Sequence, residues 1–161
     1  MRFKTFLLSL IFITLWAKLS ASDIVVSSMD KSMIQAKLDK FATDRSLPMG
    51  DLVLKIGLDF LNTPYVAKTL DKSKEEQLVI NLHQLDCTTF AENGLALART
   101  VRSEKPGIET FCTELESIRY RGGKLNGYAS RLHYFSEWIA DNEIRHHVQS
   151  MAAQMGGKLL P

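Results

Sequence analysis

Cys87 is the residue whose position carries the most chemistry. It follows the apolar run Leu78-Val-Ile-Asn-Leu82, which reads as a buried strand, and it opens a stretch of helical periodicity predicted to run from Asp86-Cys87 to about Arg102. A thiol at a helix N-terminus meets unpaired N–H groups and the positive end of the helix dipole, which favour thiolate over thiol. The backbone N–H of the same residue can face a carbonyl oxygen that gains negative charge, so nucleophile and oxyanion donor would come from one turn. Asp86 places a negative charge beside the thiol and opposes its ionisation, unless its carboxylate is occupied in capping the N–H of Thr88 or Thr89. A cysteine at a helix start also fits a purely structural role.

The chain has one other cysteine, Cys112. It lies on an apolar stripe between Ile108 and Leu115, where it reads as a small core hydrophobe. A disulfide between Cys87 and Cys112 is the alternative for two exported cysteines, and it would leave no free nucleophile. A cysteine nucleophile needs a partner that takes its proton and returns it to the leaving amine, usually histidine. His83 precedes Cys87 by four residues, His133 sits in an aromatic stretch, and His146-His147 is an adjacent pair expected to face solvent. None is marked as the base by spacing. Metal-ligand spacings such as Cys-x-x-Cys or His-Glu-x-x-His are absent, as are phosphate-loop glycine fingerprints, so neither a metal nor another cofactor is expected.

The elements that must position Cys87 are mostly helical. Apolar spacing predicts a helix from Asp30 to Arg45, with Asp30 as its cap, and a second carrying Leu52, Val53, Ile56 and Phe60 that Pro64 ends. Within the Cys87 helix, Phe90, Gly94, Leu97, Ala98 and Val101 share a face, and Gly94 would allow close approach of a neighbour. A further helix from Ile108 to Ile118 stops at Gly122-Gly123. Ser130 is expected to cap another that turns Leu132, Phe135, Trp138 and Ile139 inward. The tail, with Ile144, Val148, Met151 and Met155 at helical spacing, is ambiguous.

Residues 1–22 have the layout of a secretory leader: Arg2 and Lys4, an apolar run from Phe6 to Trp16, then Ser20-Ala21-Ser22. That run is shorter than a spanning helix requires, so no stable membrane span is expected after cleavage. Residues 23–161 then form a single domain. Losing Arg2, Lys4 and Lys18 brings the net charge of +2 close to neutrality. With no cluster of Lys and Arg, the domain lacks the footprint of a nucleic-acid binder.

Three segments carry a family resemblance: Phe60-Leu-Asn-Thr-Pro-Tyr-Val66, Leu85-Asp-Cys-Thr-Thr-Phe-Ala-Glu92 and Ser130-Arg-Leu-His-Tyr-Phe-Ser-Glu-Trp-Ile139. Together they resemble the N-acetylmuramoyl-L-alanine amidase-like family within the NlpC clan of papain-like cell-wall hydrolases, over about Gly50 to Gly157. The resemblance implies an α+β, papain-like NlpC-type fold, of which this chain holds mainly the helical first half with the central nucleophile helix. It implies that Cys87 is the catalytic cysteine, that Tyr65 lies near the pocket with Asp86, and that Arg131 and His133, in a signature helix, help shape the substrate site. In this clan the catalytic histidine and its orienting residue follow on strands of a later sheet. No such strands are read before Pro161, so a truncated chain, with its base beyond residue 161, is expected.

The activity so implied is that of an exported, periplasmic or envelope-associated bacterial enzyme acting on peptidoglycan fragments, which cleaves the amide between N-acetylmuramic acid and L-alanine. It needs no cofactor. Two alternatives stand beside it: a stem-peptide endopeptidase of the same clan, and a non-catalytic envelope binding module.

Overall fold

The computed structural model describes residues 24–71, 73–151 and 154–157. The leader expected at 1–22 lies outside the described residues. The first element is a strand, β1 (Ile24–Val26), which pairs in parallel with β2 (Leu78–Ile80) in the register Ile24↔Leu78, Val25↔Val79 and Val26↔Ile80. Parallel strands need a crossover between them. Here it contains α1 (Ser28–Phe41) and α2 (Met49–Leu58). The predicted strand at Leu78 is present and wholly buried, whereas β1 was not predicted. Its β-branched Ile-Val-Val is only three residues long and is fixed by its pairing.

The start of α1 corrects one expectation. The cap is Ser27, whose hydroxyl accepts the N–H of Asp30 at 3.0 Å. Asp30 is instead buried at 1% exposure and accepts the Leu82 N–H at 2.8 Å, which ties α1 to the segment leaving β2. The second helix ends at Leu58, before Phe60 and well before Pro64, and its exit is a series of turns through Asn62, held at φ 68.

At the centre lies α3 (Cys87–Arg102), with its bounds as predicted. Every residue from Glu92 to Ala98 is buried, so this helix is enclosed rather than amphipathic. The helices α1, α2 and α4 (Ile108–Arg119) pack on it. Ile34, Leu52, Ile56, Leu97, Ala98, Phe111, Leu115 and Ile118 form the fully buried core they share. Gly94 does not serve a close approach, because a Cβ there would meet nothing within 4 Å. Phe90 departs from the expected inward face and is 42% exposed.

The last helix, α5 (Phe135–Ile144), is capped at Tyr134 and begins four residues later than a cap at Ser130 would place it. The Ser130 hydroxyl is used by the preceding turn: it accepts the Asn126 N–H at 2.9 Å and donates to the Gly127 carbonyl at 2.7 Å. Arg131 and His133 are therefore not helical. Arg131 forms an antiparallel bridge with Tyr120, and Leu132 N–H donates to the Arg119 carbonyl at 3.0 Å. Leu132 and Trp138 turn inward as expected, while Phe135 stacks on Trp138 from outside, their rings 5.2 Å apart. Asn142 anchors α5 to α4 through the Ile118 carbonyl at 3.0 Å. Beyond α5 the described tail is turns, not a helix. The architecture is α+β, rich in helix, with a small two-stranded sheet among the described residues.

Candidate active site

The six residues between β2 and α3 are fixed by side chains rather than by a ladder. The Asn81 carboxamide oxygen accepts the N–H groups of His83 at 3.2 Å and Gln84 at 2.9 Å. Asn93, one turn into α3 and fully buried, donates to the Asn81 carbonyl at 3.2 Å. These bonds and Asp30 on Leu82 hold the approach to Cys87 from three sides. The segment after α2 completes the frame: the Leu85 N–H donates to the Pro64 carbonyl at 3.1 Å and the Leu85 carbonyl accepts the Val66 N–H at 3.0 Å, which places Tyr65 beside Leu85 in a parallel bridge.

Cys87 is the first residue of α3, exposed, with a free thiol. Asp86 is the N-cap and forms a reciprocal capping box: its carboxylate accepts the Thr89 N–H at 2.8 Å, and the Thr89 hydroxyl accepts the Asp86 N–H at 2.8 Å. The Asp86 carboxylate is thus engaged with Thr89, as the sequence allows. The amides of Cys87 and Thr88 donate to no described group. Two unpaired donors at the positive end of a 16-residue helix are suited to a developing oxyanion.

Cys87 opens into a cleft of ≈ 220 Å³, walled by Phe60, Leu85 and Phe90 and rimmed by Thr63, Tyr65 and Asp86. Phe60 meets Phe90 edge-on at 6.1 Å, with the Lys37 ammonium 3.9 Å over the Phe60 ring. Tyr65 is 71% exposed at the rim.

Arg131 and His133 are not in this cleft. They line a second one of ≈ 200 Å³ with Lys68, Asp71, Thr88 and Glu92, and Asp86 lies between the two, lining both. Arg131 is buried, donates to Asp71 at 2.5 Å and has its Nε 3.5 Å from Glu76. That Nε makes no hydrogen bond. Burial opposes the Arg131 charge, but Asp71 and Glu76 outweigh it and hold its pKa above the ordinary value. Glu76 also accepts the Tyr120 hydroxyl at 2.9 Å, so the loop before β2 is bound to the Arg131 segment. Behind the cleft floor, Glu92 receives Arg119 Nε at 2.7 Å, and both are about 1% exposed. Burial pushes the Glu92 carboxyl up, against the pull of Arg119.

The histidines are held elsewhere. His83 faces Asp30 at 2.9 Å, His133 bonds the Tyr128 carbonyl at 3.0 Å, and His147 bonds Ser117 at 3.1 Å. His147 is thus not solvent-facing, and burial with Arg99 and Arg145 nearby lowers its pKa. Among the described residues, no histidine lines the Cys87 cleft. Cys112 is 6% exposed, and burial pushes its thiol up; both cysteines are free, so the disulfide alternative is not realised. The sequence reading missed Thr63, Lys68, Asp71 and Glu92. Glu92 carried a signal, since a carboxylate on an otherwise enclosed helix requires a buried cation.

Residues 55–160 match a family described as N-acetylmuramoyl-L-alanine amidase-like (AmiA-like). Among solved structures, an N-acetylmuramoyl-L-alanine amidase from Bacteroides uniformis is 42% identical, with a TM-score of 0.56, over 60% of this chain and 40% of that one. A Bacteroides fragilis protein provisionally described as a xylanase is also 42% identical, with a TM-score of 0.59, over 63% of this chain and 44% of that one. A Legionella pneumophila protein shares the fold at 23% identity and a TM-score of 0.57, over 72% of this chain and 38% of that one. The chain therefore spans less than half the length of these structures. No curated protein matches it.

Proposed function

Because the chain belongs to the N-acetylmuramoyl-L-alanine amidase-like family, we propose that Cys87 is the nucleophile of a peptidoglycan amidase cleaving the bond between N-acetylmuramic acid and L-alanine. The observation that carries this reading is an exposed free thiol at the first residue of α3, beside two amides that donate to no described group. The Cys87 thiolate attacks the lactyl carbonyl, and the oxyanion is held by the Cys87 and Thr88 N–H groups. The C–N bond then breaks, the L-alanyl amine leaves with a proton from a general acid, and water hydrolyses the thioester to the free muramic carboxylate and thiol. No histidine is among the described residues that line the cleft, and its one carboxylate, Asp86, is engaged with Thr89. Substrate binding falls to Tyr65 and Asp86 beside the thiol and to Arg131 and His133 across Asp86. A papain-like NlpC-type arrangement, a leader at 1–22 and action outside the cytoplasm belong to the same proposal.

The test is product analysis on a soluble N-acetylmuramoyl-L-alanyl-γ-D-glutamyl peptide. A new free L-alanine N-terminus, absent with Cys87→Ala, is the expected result. Cleavage after the D-glutamate would make the protein a stem-peptide endopeptidase, and binding with no cleavage would favour a non-catalytic module.

A further inference from the structure

Resting on the amidase reading, we propose that the two clefts divide the substrate, the polar cleft over Thr88 taking the N-acetylmuramoyl sugar and the apolar cleft over Cys87 taking the L-alanyl peptide. Consecutive residues open into the two: Cys87 lines one, Thr88 lines the other, and Asp86 lines both. An amide carbonyl held over this first turn has its two substituents diverging into clefts of opposite character.

The cleft of Cys87 is walled by Phe60, Leu85 and Phe90, and the one charged side chain lining it, Asp86, is spent on capping Thr89. Such a surface suits the methyl group and backbone of L-alanine. The other cleft presents cations and anions together: Lys68 and Arg131 against Asp71, Asp86 and Glu92, with Arg119 paired behind. With three cations set against three carboxylates, this cleft has no net positive field to hold an anionic stem peptide. The muramoyl group is different, because its only carboxyl is consumed in the amide. It is a neutral ligand of hydroxyl, ether and acetamido groups, which uses donors and acceptors in one place.

Two further observations fit a sugar. Arg131, 7% exposed, lines this cleft as a charged donor group held in place by Asp71. Beside it, the Tyr128 ring packs on His133 at 4.3 Å and is 63% exposed, offering a flat aromatic face to the C–H side of a pyranose.

The experiment is amide chemical-shift mapping of the full chain carrying Cys87→Ala, which cannot be acylated, with two fragments: the disaccharide of N-acetylglucosamine and N-acetylmuramic acid with its lactyl carboxyl as the neutral methylamide, and N-acetyl-L-alanyl-D-isoglutamine. The disaccharide is expected to move Thr88, Arg131 and His133, and the peptide to move Thr63, Tyr65 and Phe90. Lys68→Gln and His133→Ala, both at exposed positions, should each weaken the disaccharide roughly three- to tenfold, the worth of one hydrogen bond, and leave the peptide unchanged. Exchanged positions, one shared set of shifts, or no shifts from either fragment would overturn the assignment. Acylation of Cys87 is read separately: acylation with exchanged shifts removes this inference and leaves the amidase reading, whereas the expected shifts without acylation remove the amidase reading.

Discussion

Cys87 and Cys112 are the same chemical group in opposite settings, one exposed at a helix start and the other 6% exposed in the core. Iodoacetamide is expected to add once to the native chain, on Cys87, and a second time only after unfolding, as read by intact mass and peptide mapping. Equal labelling of both in the native state would contradict the described packing. A second residue-scale prediction concerns Asp30. Burial alone would raise its carboxyl, but the Leu82 N–H, the Ser27 hydroxyl and His83 outweigh that and hold it below its ordinary value of 3.8. A depressed folded pKa contributes stability that is present above the unfolded value and is lost as pH falls through the folded one. The urea midpoint should therefore fall below about pH 4 more steeply in the wild type than in Asp30→Asn. Parallel curves would show that Asp30 does not contribute. The position of Cys87 was legible in the sequence because a strand, an N-cap and a helix follow in order. The role of Asp30 was not, since Leu82 and His83, the partners that tie it to the site, are 52 and 53 residues away.

At the scale of elements, the sequence reading succeeded where a helix is defined by its own spacing and caps. The expected span of α3, from Asp86-Cys87 to about Arg102, agrees with Cys87–Arg102, and α4 ends ahead of its glycine pair. It failed where a partner decides the local structure. Ser130 has the chemistry of a helix cap, but its hydroxyl closes the preceding turn, and the Tyr120 bridge holds Arg131 extended. The strand β1 exists through β2 alone. One buried polar contact joining α3 to α4 and to β2 is the Glu92–Arg119 pair, where Arg119 also donates to the Val79 carbonyl at 2.6 Å. Arg119→Ala is expected to cost about 3–5 kcal/mol in chemical unfolding, because it leaves Glu92 buried without its cation. Replacing both residues by Met should recover much of that loss. If Arg119→Ala unfolds like the wild type, the pair does not hold these elements together.

On the scale of the whole molecule, α1, α2 and α4 enclose α3 and leave its first turn as the open end, where the two clefts meet at Asp86. That division was not legible in the sequence, because Arg131 lies 60 residues after Asp71 and joins the loop of Lys68 and Asp71 only on folding. The family was legible, since its three motifs lie within residues 55–160. The chain covers only 44% and 40% of two solved structures it resembles, which makes a direct reading of the thiol more decisive than turnover. An N-acetylmuramoyl aryl ester, whose leaving group needs no proton, supplies it. Incubation with the chain should add one N-acetylmuramoyl group to the peptide containing Cys87, with release of the phenol, and Cys87→Ser should remain unmodified. No adduct on Cys87, or an equal adduct on Cys112 or in the variant, would contradict the assignment of Cys87 as the nucleophile.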